Sequence, residues 1–388
     1  MTYRYRSYAR AVATAALALA ALAAPAHAEP RDPWVRAWGR NGAGQLGNGS
    51  TLVQQTPAGV RGLARADVLE LAGGGGGETN SFAVAALNDG TVQAWGGNTN
   101  GQLGDGTTTG RSLPAAVAGL SGASRVAAGV LSGYAVRGGR VLAWGDNTYG
   151  QLGDGSTTGA TRPVAVQSLS RVTDIAAGCY HAVALREDGT VWTWGRSNFG
   201  QLGIGTDDDR NTPKRVPGVT DVVEISAGCN HVLARTADGT VKAWGYNANG
   251  QLGDDSTTHR NVPVDVRQLD DVARVFACGY HSFAVLDDGA VRAWGWNGFG
   301  QLGDGSTVSR TTPVPVPGLS DVRGLAGGYN HTVAVLADGS VLGWGENTAG
   351  QLGDATTTDS PVPVVALPPG SGATRVATSI VARSSYAY

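Results

Sequence analysis

Short apolar runs separated by glycine-rich stretches dominate the hydrophobic pattern, and one unit is clearest between residues 171 and 194. Val172 and Ile175 mark a first strand, residues 182–185 form a second apolar run, and residues 190–194 alternate again. Asp188-Gly189 between the last two runs predicts a two-residue hairpin turn. With a fourth strand opened by a proline, as at Pro163, the pattern predicts four antiparallel strands per unit and no helix.

This unit recurs along the chain. Gly-Gln-Leu-Gly occurs seven times, each preceded by Trp-Gly and followed by a proline, and from the second copy onward the spacing is 49 or 50 residues. A period near 50 is typical of propellers and solenoids. The tryptophans are Trp38, Trp95, Trp144, Trp194, Trp244, Trp294 and Trp344.

The third strand of the unit is small on one side, with residues such as Val141 and Ala143, and ends in a tryptophan on the other. A sheet that is apolar on both faces must pack between copies of itself, so we expect each indole to lie against the small residues of a neighbouring sheet. Residues 35–38 resemble a third strand, and residues 374–378 and 384–388 resemble a first and a second. The sequence therefore predicts an all-β, seven-bladed β-propeller of four-stranded antiparallel blades, closed by pairing of its N- and C-terminal strands.

Residues 1–28 have the form of a secretory signal peptide: a basic start, an apolar run and an Ala-His-Ala cleavage site. We expect residues 29–388 to form the propeller, secreted as a monomer without a membrane span. The whole chain has 29 basic and 31 acidic side chains, a net charge of −2, and removal of the signal peptide makes it more negative. That charge argues against a nucleic-acid partner.

The chain has three cysteines, Cys179, Cys229 and Cys278, so at least one is not paired within the chain. Cys179 and Cys229 occupy the same slot in adjacent repeats, and a bridge requires their Cα atoms to lie within about 7 Å. The interpretation favoured here is that they are small buried side chains, with a bridge left open.

The pattern Trp-Gly-x-Asn-x-x-Gly-Gln-Leu-Gly, followed by Asp-Gly-Thr or Asp-Gly-Ser and preceded by Gly-x-x-His, resembles the regulator of chromosome condensation repeat family over residues 34–388. The resemblance implies a seven-bladed propeller. The family includes a nuclear nucleotide-exchange factor for a small GTPase and an ultraviolet-B photoreceptor whose Trp and Arg loop residues are replaced here. Exported bacterial propellers that inhibit β-lactamases are also similar, with a signal peptide and aromatic residues before the histidine.

Several motifs have a structural and a functional interpretation. Two Gly-x-Gly-x-x-Gly stretches lack the helix that dinucleotide binding needs. His181, His231, His281 and His331 recur once per repeat, and hydrogen bonding between strands is favoured over a metal ring. The acidic loops, including residues 207–209, fit turns better than calcium sites. His259 is expected to be solitary and solvated. We expect no metal, no cofactor and no catalytic residues.

Antiparallel order places the Gly-x-x-His loop and the Trp-Gly-x-Asn loop of every blade on the same face of the predicted propeller. Large rings occupy the loop positions that differ between repeats, and tyrosine and tryptophan are frequent in binding hot spots. The alternative is that some rings merely cap the core. The candidate partner-binding residues are Tyr149, Tyr180, Phe199, Tyr246, Tyr280, Trp296, Phe299 and Tyr329.

These observations predict a secreted, non-enzymatic interaction module whose partner is an extracellular protein or, as a weaker alternative, a glycan. Two other hypotheses stay open. One is an inhibitor of an extracellular enzyme such as a β-lactamase. The other is a polysaccharide-active hydrolase or lyase, which requires acidic side chains to converge at the channel mouth.

Overall fold

The computed structural model describes residues 35–63 and 67–388, so the predicted signal peptide lies outside the described residues. Twenty-eight strands form seven four-stranded antiparallel sheets, and no α-helix occurs in the described ranges. The predicted all-β, seven-bladed propeller is confirmed. Blades are numbered here in the chain order of their first strands.

Strand bounds follow the repeat closely. Blades 1 to 3 contain β3 (Val68–Gly74), β4 (Phe82–Leu87), β5 (Val92–Gly96), β6 (Arg111–Ala116); β7 (Ala123–Ala128), β8 (Ser132–Arg137), β9 (Arg140–Gly145), β10 (Ala160–Ala165); β11 (Val172–Ala177), β12 (His181–Arg186), β13 (Val191–Gly195) and β14 (Arg210–Arg215). Blades 4 to 6 contain β15 (Val222–Ala227), β16 (His231–Thr236), β17 (Val241–Gly245), β18 (Arg260–Asp265); β19 (Val272–Ala277), β20 (His281–Leu286), β21 (Val291–Gly295), β22 (Arg310–Pro315); β23 (Val322–Gly327), β24 (His331–Leu336), β25 (Val341–Gly345) and β26 (Ser360–Leu367). Blade 7 contains β27 (Val376–Thr378), β28 (Ser384–Ala387), β1 (Arg36–Gly39) and β2 (Gln54–Gly59).

Blade 7 joins the two ends of the described chain. Its strand order is β2-β1-β28-β27, and Trp38 of β1 lies opposite Ser385 of β28 in the antiparallel register. The predicted closure by N- and C-terminal strands is therefore confirmed. Because the sheet is shared, neither end strand is left with an unpaired inner edge.

Each repeated tryptophan is fully buried between two blades, as the example of Trp194 shows. Its ring lies in one apolar cluster with Val141 and Ala143 of blade 2, which confirms the predicted packing against small residues. Its indole N–H donates a 2.9 Å hydrogen bond to the carbonyl of Gln151 in the preceding Gly-Gln-Leu-Gly loop. A Cβ on Gly153 would lie 2.8 Å from the indole nitrogen, and φ there is +66°, so the motif requires glycine.

The hairpin turns differ from the prediction. Arg186 and Thr190 close the turn at Asp188, so three residues connect the strands instead of two. Gly189 has a φ of +72°, which places the glycine of the pair in the left-handed conformation after a tight turn. A two-residue turn occurs in blade 2, where Gly138 and Gly139 connect a directly paired Arg137 and Arg140.

The fourth strand begins earlier than predicted. In blade 2 it starts at Ala160, and Pro163 lies inside a register shift between Ala160 and Val164. The proline is tolerated because this outermost strand bulges there and needs no ladder hydrogen bond from that position.

Cys179 and Cys229 are bonded to each other in a disulfide, with their Cα atoms 4.5 Å apart. The favoured expectation of two unbridged side chains was wrong. The backbones of neighbouring blades converge at this point, since Cys179 N–H donates to the Cys229 carbonyl at 2.9 Å. Cys278 is a buried free thiol, and burial raises its pKa.

Candidate functional site

The loops between first and second strands and between third and fourth strands lie on the same face, called here the loop face. The opposite face, which carries the three-residue turns, is the hairpin face. Asn147 shows how the long loops that carry this asparagine are shaped: its side-chain Oδ1 accepts from Leu152 N–H at 2.9 Å, and its side-chain amide donates to the carbonyl of Thr158 at 3.0 Å. Blade 3 has Ser197 in this position, and its N–H donates to Asp209 at 2.8 Å. Buried amides of this kind fix the loops, so the ring-bearing positions between them are held in place.

Four candidate rings form a continuous strip across the loop faces of blades 3 to 6. Phe199 packs edge-on to Tyr246 with ring centroids 4.9 Å apart, Tyr246 lies 5.4 Å from Tyr280, and Tyr280 lies 5.0 Å from Tyr329. We call Phe199, Tyr246, Tyr280 and Tyr329 the aromatic strip. Edge-to-face and tilted ring contacts at these distances stabilise the rings and pre-order them.

A second, smaller group lies beside the strip. Tyr149 and Tyr180 pack with centroids 5.3 Å apart, and the guanidinium of Arg196 lies 4.6 Å from the centroid of the Tyr149 ring. A cation over an aromatic face is attracted by the ring quadrupole. Trp296 folds over Gly298 of its own loop, where a Cβ would meet the indole. The ring contacts thus include six of the eight candidates, in one group of four and one of two, and leave out Trp296 and Phe299.

All eight candidate rings are half-buried. Tyr180 and Tyr280 also pack on a small apolar cluster at the propeller axis, formed by Val130, Cys179, Cys229 and Ile380. Tyr180 and Tyr280 therefore cover this cluster with one side and present the other to solvent.

His259 is not solitary, as the sequence had predicted. It is exposed, but its ring lies 4.7 Å from Tyr246 and 5.3 Å from Phe199, which extends the aromatic strip. Its Nδ1 accepts the N–H of Asn247 at 3.0 Å. Asp209 and Asp359 accept the corresponding N–H groups in blades 3 and 6, so alignment of the repeats could have revealed this role.

The four repeated histidines are buried, and three of them tie adjacent blades together as predicted. The Nε2 atoms of His231, His281 and His331 lie 2.9, 2.8 and 3.0 Å from hydroxyls of the next blade, on Ser282, Thr332 and Ser385. His181 has no hydrogen-bond partner on either ring nitrogen. No three metal-ligating side chains come together in residues 35–63 and 67–388.

The acidic loop residues accept hydrogen bonds from their own turns. Asp304 accepts the N–H of Ser306 at 2.9 Å and pairs with Arg310 at 2.8 Å, and Asp154 accepts the N–H of Ser156 at 2.9 Å. Asp209 is one of the loop acceptors described above, and Asp208 lies 3.8 Å from Arg210. These bonds support the interpretation as turns over the calcium interpretation.

The mouth of the axial channel on the hairpin face contains Glu70 and Asp174. Desolvation raises the pKa of Glu70 to about 7, although the carboxylate accepts the N–H of Val126, and burial also raises the pKa of Asp174. Arg125, from the blade between them, lies 3.7 Å from Asp174. Acidic groups are thus present at the mouth, as the hydrolase hypothesis requires, but they alternate with arginine.

Within the part of the chain that the structure describes, no helix has the length and apolar character needed to cross a bilayer.

The closed ring of seven blades, with an indole hydrogen-bonded to each Gly-Gln-Leu-Gly loop, defines a repeat β-propeller. The profile of the RCC1-like domain matches residues 165–387, and the regulator of chromosome condensation (RCC1) repeat matches residues 35–77, 89–135 and 138–185. The chain belongs to this RCC1 repeat family.

The individual relatives match this chain either over a short stretch or at low sequence identity. A stretch of 97 residues, 24% of this chain, is 39% identical to the human E3 ubiquitin-protein ligase HERC2, and the mouse protein matches equally. This chain spans about 2% of the length of those curated relatives. Human WBSCR16 is similar with a TM-score of 0.79 and 23% identity, over 91% of this chain and 98% of that one. Yeast RCC1 (Prp20) bound to Kap60 has a TM-score of 0.80 and 22% identity, over 91% and 88%. At these identities the two structures establish a shared fold.

Proposed function

We propose that this protein is a secreted, non-enzymatic interaction module that binds an extracellular protein through the loop face. The observation that carries the proposal is the aromatic strip, a row of half-buried rings contributed by four successive blades. Secretion rests on the form of residues 1–28.

The chemistry of the strip favours a protein partner. Tyrosine and phenylalanine supply large contact areas and lose little conformational entropy on binding, and rings already packed on one another lose less still. The acidic Glu346 near the strip is paired with Arg383 at 2.7 Å. The negative charge of Glu346 is therefore balanced within the chain and does not attract a charged ligand to the strip. Yeast Prp20, a relative of the same fold, has been crystallised with Kap60, and a second structure of it is described with its binding to Gsp1p and histones.

The test begins with the immobilised protein and culture supernatant of the producing organism, from which bound proteins are identified by mass spectrometry. The purified partner is then titrated against wild type and a Phe199→Ala, Tyr246→Ala, Tyr280→Ala triple variant. We expect at least about a tenfold loss of affinity, since buried aromatic anchors dominate binding energies.

The matched control replaces three half-exposed apolar side chains on outer strands, outside the aromatic strip: Leu113→Ala, Val262→Ala and Val362→Ala, each 45% exposed in wild type. This variant should bind the partner as wild type does. Equal affinity of the aromatic variant and the control, with both folded, would contradict the proposal.

A further inference from the structure

The propeller axis contains a blind well. Its volume is about 560 Å³, and its walls are the first strands of the blades. At the loop face the axis is closed by the cluster of Val130, Cys179, Cys229 and Ile380, which comes from blades 2, 3, 4 and 7. The well therefore opens on the hairpin face, on the opposite side from the aromatic strip. This volume lies within the range of about 300–1,000 Å³ that is usual for small-molecule sites.

One equivalent position in each first strand supplies most of the rim. Around the ring, the residues at this position are Glu70, Arg125, Asp174, Glu224, Arg274, Gly324 and Arg375. Together with the adjacent Arg323, the side chains that line the well include four arginines, Arg125, Arg274, Arg323 and Arg375, and two carboxylates, Glu70 and Asp174. The lining is therefore positive although the chain as a whole has a net charge of −2.

The carboxylates of the rim are already engaged. Glu70 accepts Val126 N–H at 2.7 Å, Asp174 accepts Ile175 N–H at 2.9 Å, and Glu224 pairs with Arg235 at 2.9 Å. Since the pKa of Glu70 is raised to about 7 by desolvation, its negative charge is also reduced at neutral pH.

Among the described residues, the arginines around blade 6 make no hydrogen-bonded ion pair, although Glu224 lies near Arg274 and Glu70 lies near Arg375. Arg375 donates to the carbonyl of Leu69 at 3.0 Å, and Arg274 donates to the carbonyl of Arg323 and lies 3.8 Å from Glu224. The Arg323 guanidinium is exposed and has no ion pair among the described residues. Like charges held side by side favour binding of an anion, which relieves their repulsion.

Gly324 lies between Arg274 and Arg375 and leaves this arc of the rim open. A Cβ built there would meet a single atom within 4 Å, a Val335 methyl at 3.6 Å, so glycine is not required by packing. Below the gap the wall becomes apolar. Phe276, Ala127 and Ala377 line the well, and Arg274 lies 4.9 Å from the Phe276 ring centroid.

We propose that this axial well binds a small amphiphilic organic anion. Its anionic group lies against Arg274, Arg323 and Arg375 at the gap left by Gly324, and its apolar part extends toward Phe276 and the alanines. The site is separate from the aromatic strip and does not depend on the function proposed for the loop face.

Isothermal titration calorimetry with octanoate tests this inference, with 1-octanol and inorganic phosphate as comparison ligands. Wild type should bind octanoate more tightly than either comparison ligand. Gly324→Glu places a carboxylate in the open arc, as in blades 1, 3 and 4, and should weaken octanoate binding at least about tenfold through repulsion and competition for the arginines. Gly324→Gln, of the same size and uncharged, is the matched control and should bind far better than Gly324→Glu.

Arg323→Gln supplies an independent variant at an exposed position and should also weaken octanoate binding, while the aromatic triple variant should bind octanoate normally. Absence of octanoate binding by wild type, equal binding of octanol or phosphate, or unchanged binding by folded Gly324→Glu and Arg323→Gln would each overturn the proposal. Loss of partner binding in the aromatic variant is read in a separate assay, so failure of either proposal is distinguishable from failure of the other.

Discussion

The indole nitrogen of Trp38 donates a 2.9 Å hydrogen bond to the backbone carbonyl of Gln351, 313 residues further along the chain. The same bond links each of the remaining six pairs of neighbouring blades, at a separation of 42 to 50 residues. Trp38 therefore makes the same contact as the other repeated tryptophans, but this contact joins the N-terminal strand β1 to a loop near the C-terminus and so helps to close the ring. We call this junction between the two ends of the chain the seam.

Replacement of this residue measures the strength of the seam. Trp38→Ala removes a fully buried indole and should lower the free energy of unfolding by about 3 to 5 kcal/mol. Trp192→Ala is the matched control, because Trp192 is only half-buried and should cost clearly less. Urea unfolding followed by circular dichroism gives both values, and equal losses in the two variants would contradict the assignment.

The Cys179–Cys229 disulfide should stabilise the protein by about 3 to 4 kcal/mol, since it closes a loop spanning 50 residues. A Cys179→Ser, Cys229→Ser double variant should lose this stability, while Cys278→Ala should change it much less. Alkylation of denatured, unreduced protein should label Cys278 alone, and prior reduction should expose all three thiols. Three labels without reduction would show that the bridge is absent.

His181 lacks the hydroxyl partner that the other repeated histidines have, because Val232 occupies the position of Ser282 and Thr332. Val232→Thr has nearly the same shape and supplies that hydroxyl, so we expect a gain of about 1 kcal/mol in the free energy of unfolding. The gain should disappear in a His181→Leu background, which a double-mutant cycle measures. A gain that persists without His181 would assign it to another cause.

Stability should fall steeply as the pH drops below about 6.5, the ordinary histidine pKa. Desolvation lowers the pKa of His181 and His231 to about 3 and of His331 to about 4, and His281 is also well below its usual value. Between those values the unfolded chain binds more protons than the folded one, so acid favours unfolding, by up to about 5 kcal/mol per pH unit for four groups. Glu70 acts in the opposite direction between about pH 4.5 and 7, because its folded pKa is raised.

Chemical unfolding at a series of pH values measures this dependence. His181→Leu should reduce the slope by the contribution of one histidine. An acid profile that is identical in His181→Leu and wild type would contradict the assigned cause.

The sequence alone allowed prediction of the blade count, the closure and the burial of Trp194, because these depend on residues repeated in register. It did not determine the disulfide, since the closeness of Cys179 and Cys229 depends on how blade ends converge at the axis. The charged rim was also missed. Its residues, such as Glu70, Arg125 and Gly324, vary between blades instead of following the repeat, and only the ring geometry brings them to one opening. His259 appeared solitary because only the folding of its loop brings it against Tyr246, and its second aromatic neighbour, Phe199, belongs to another repeat.

Blade 7 takes strands from both ends of the chain, so it can form only when both ends have been synthesised. A chain that stops before residue 376 lacks β27 and β28, so β1 loses its inner partner strand and Trp38 loses its contact with the cluster residue Ala387, although its hydrogen-bond acceptor Gln351 remains. Such a fragment would expose an aromatic surface and an open strand edge, both of which promote aggregation and proteolysis. A chain that includes β27 and β28 covers this strand edge and avoids the exposure.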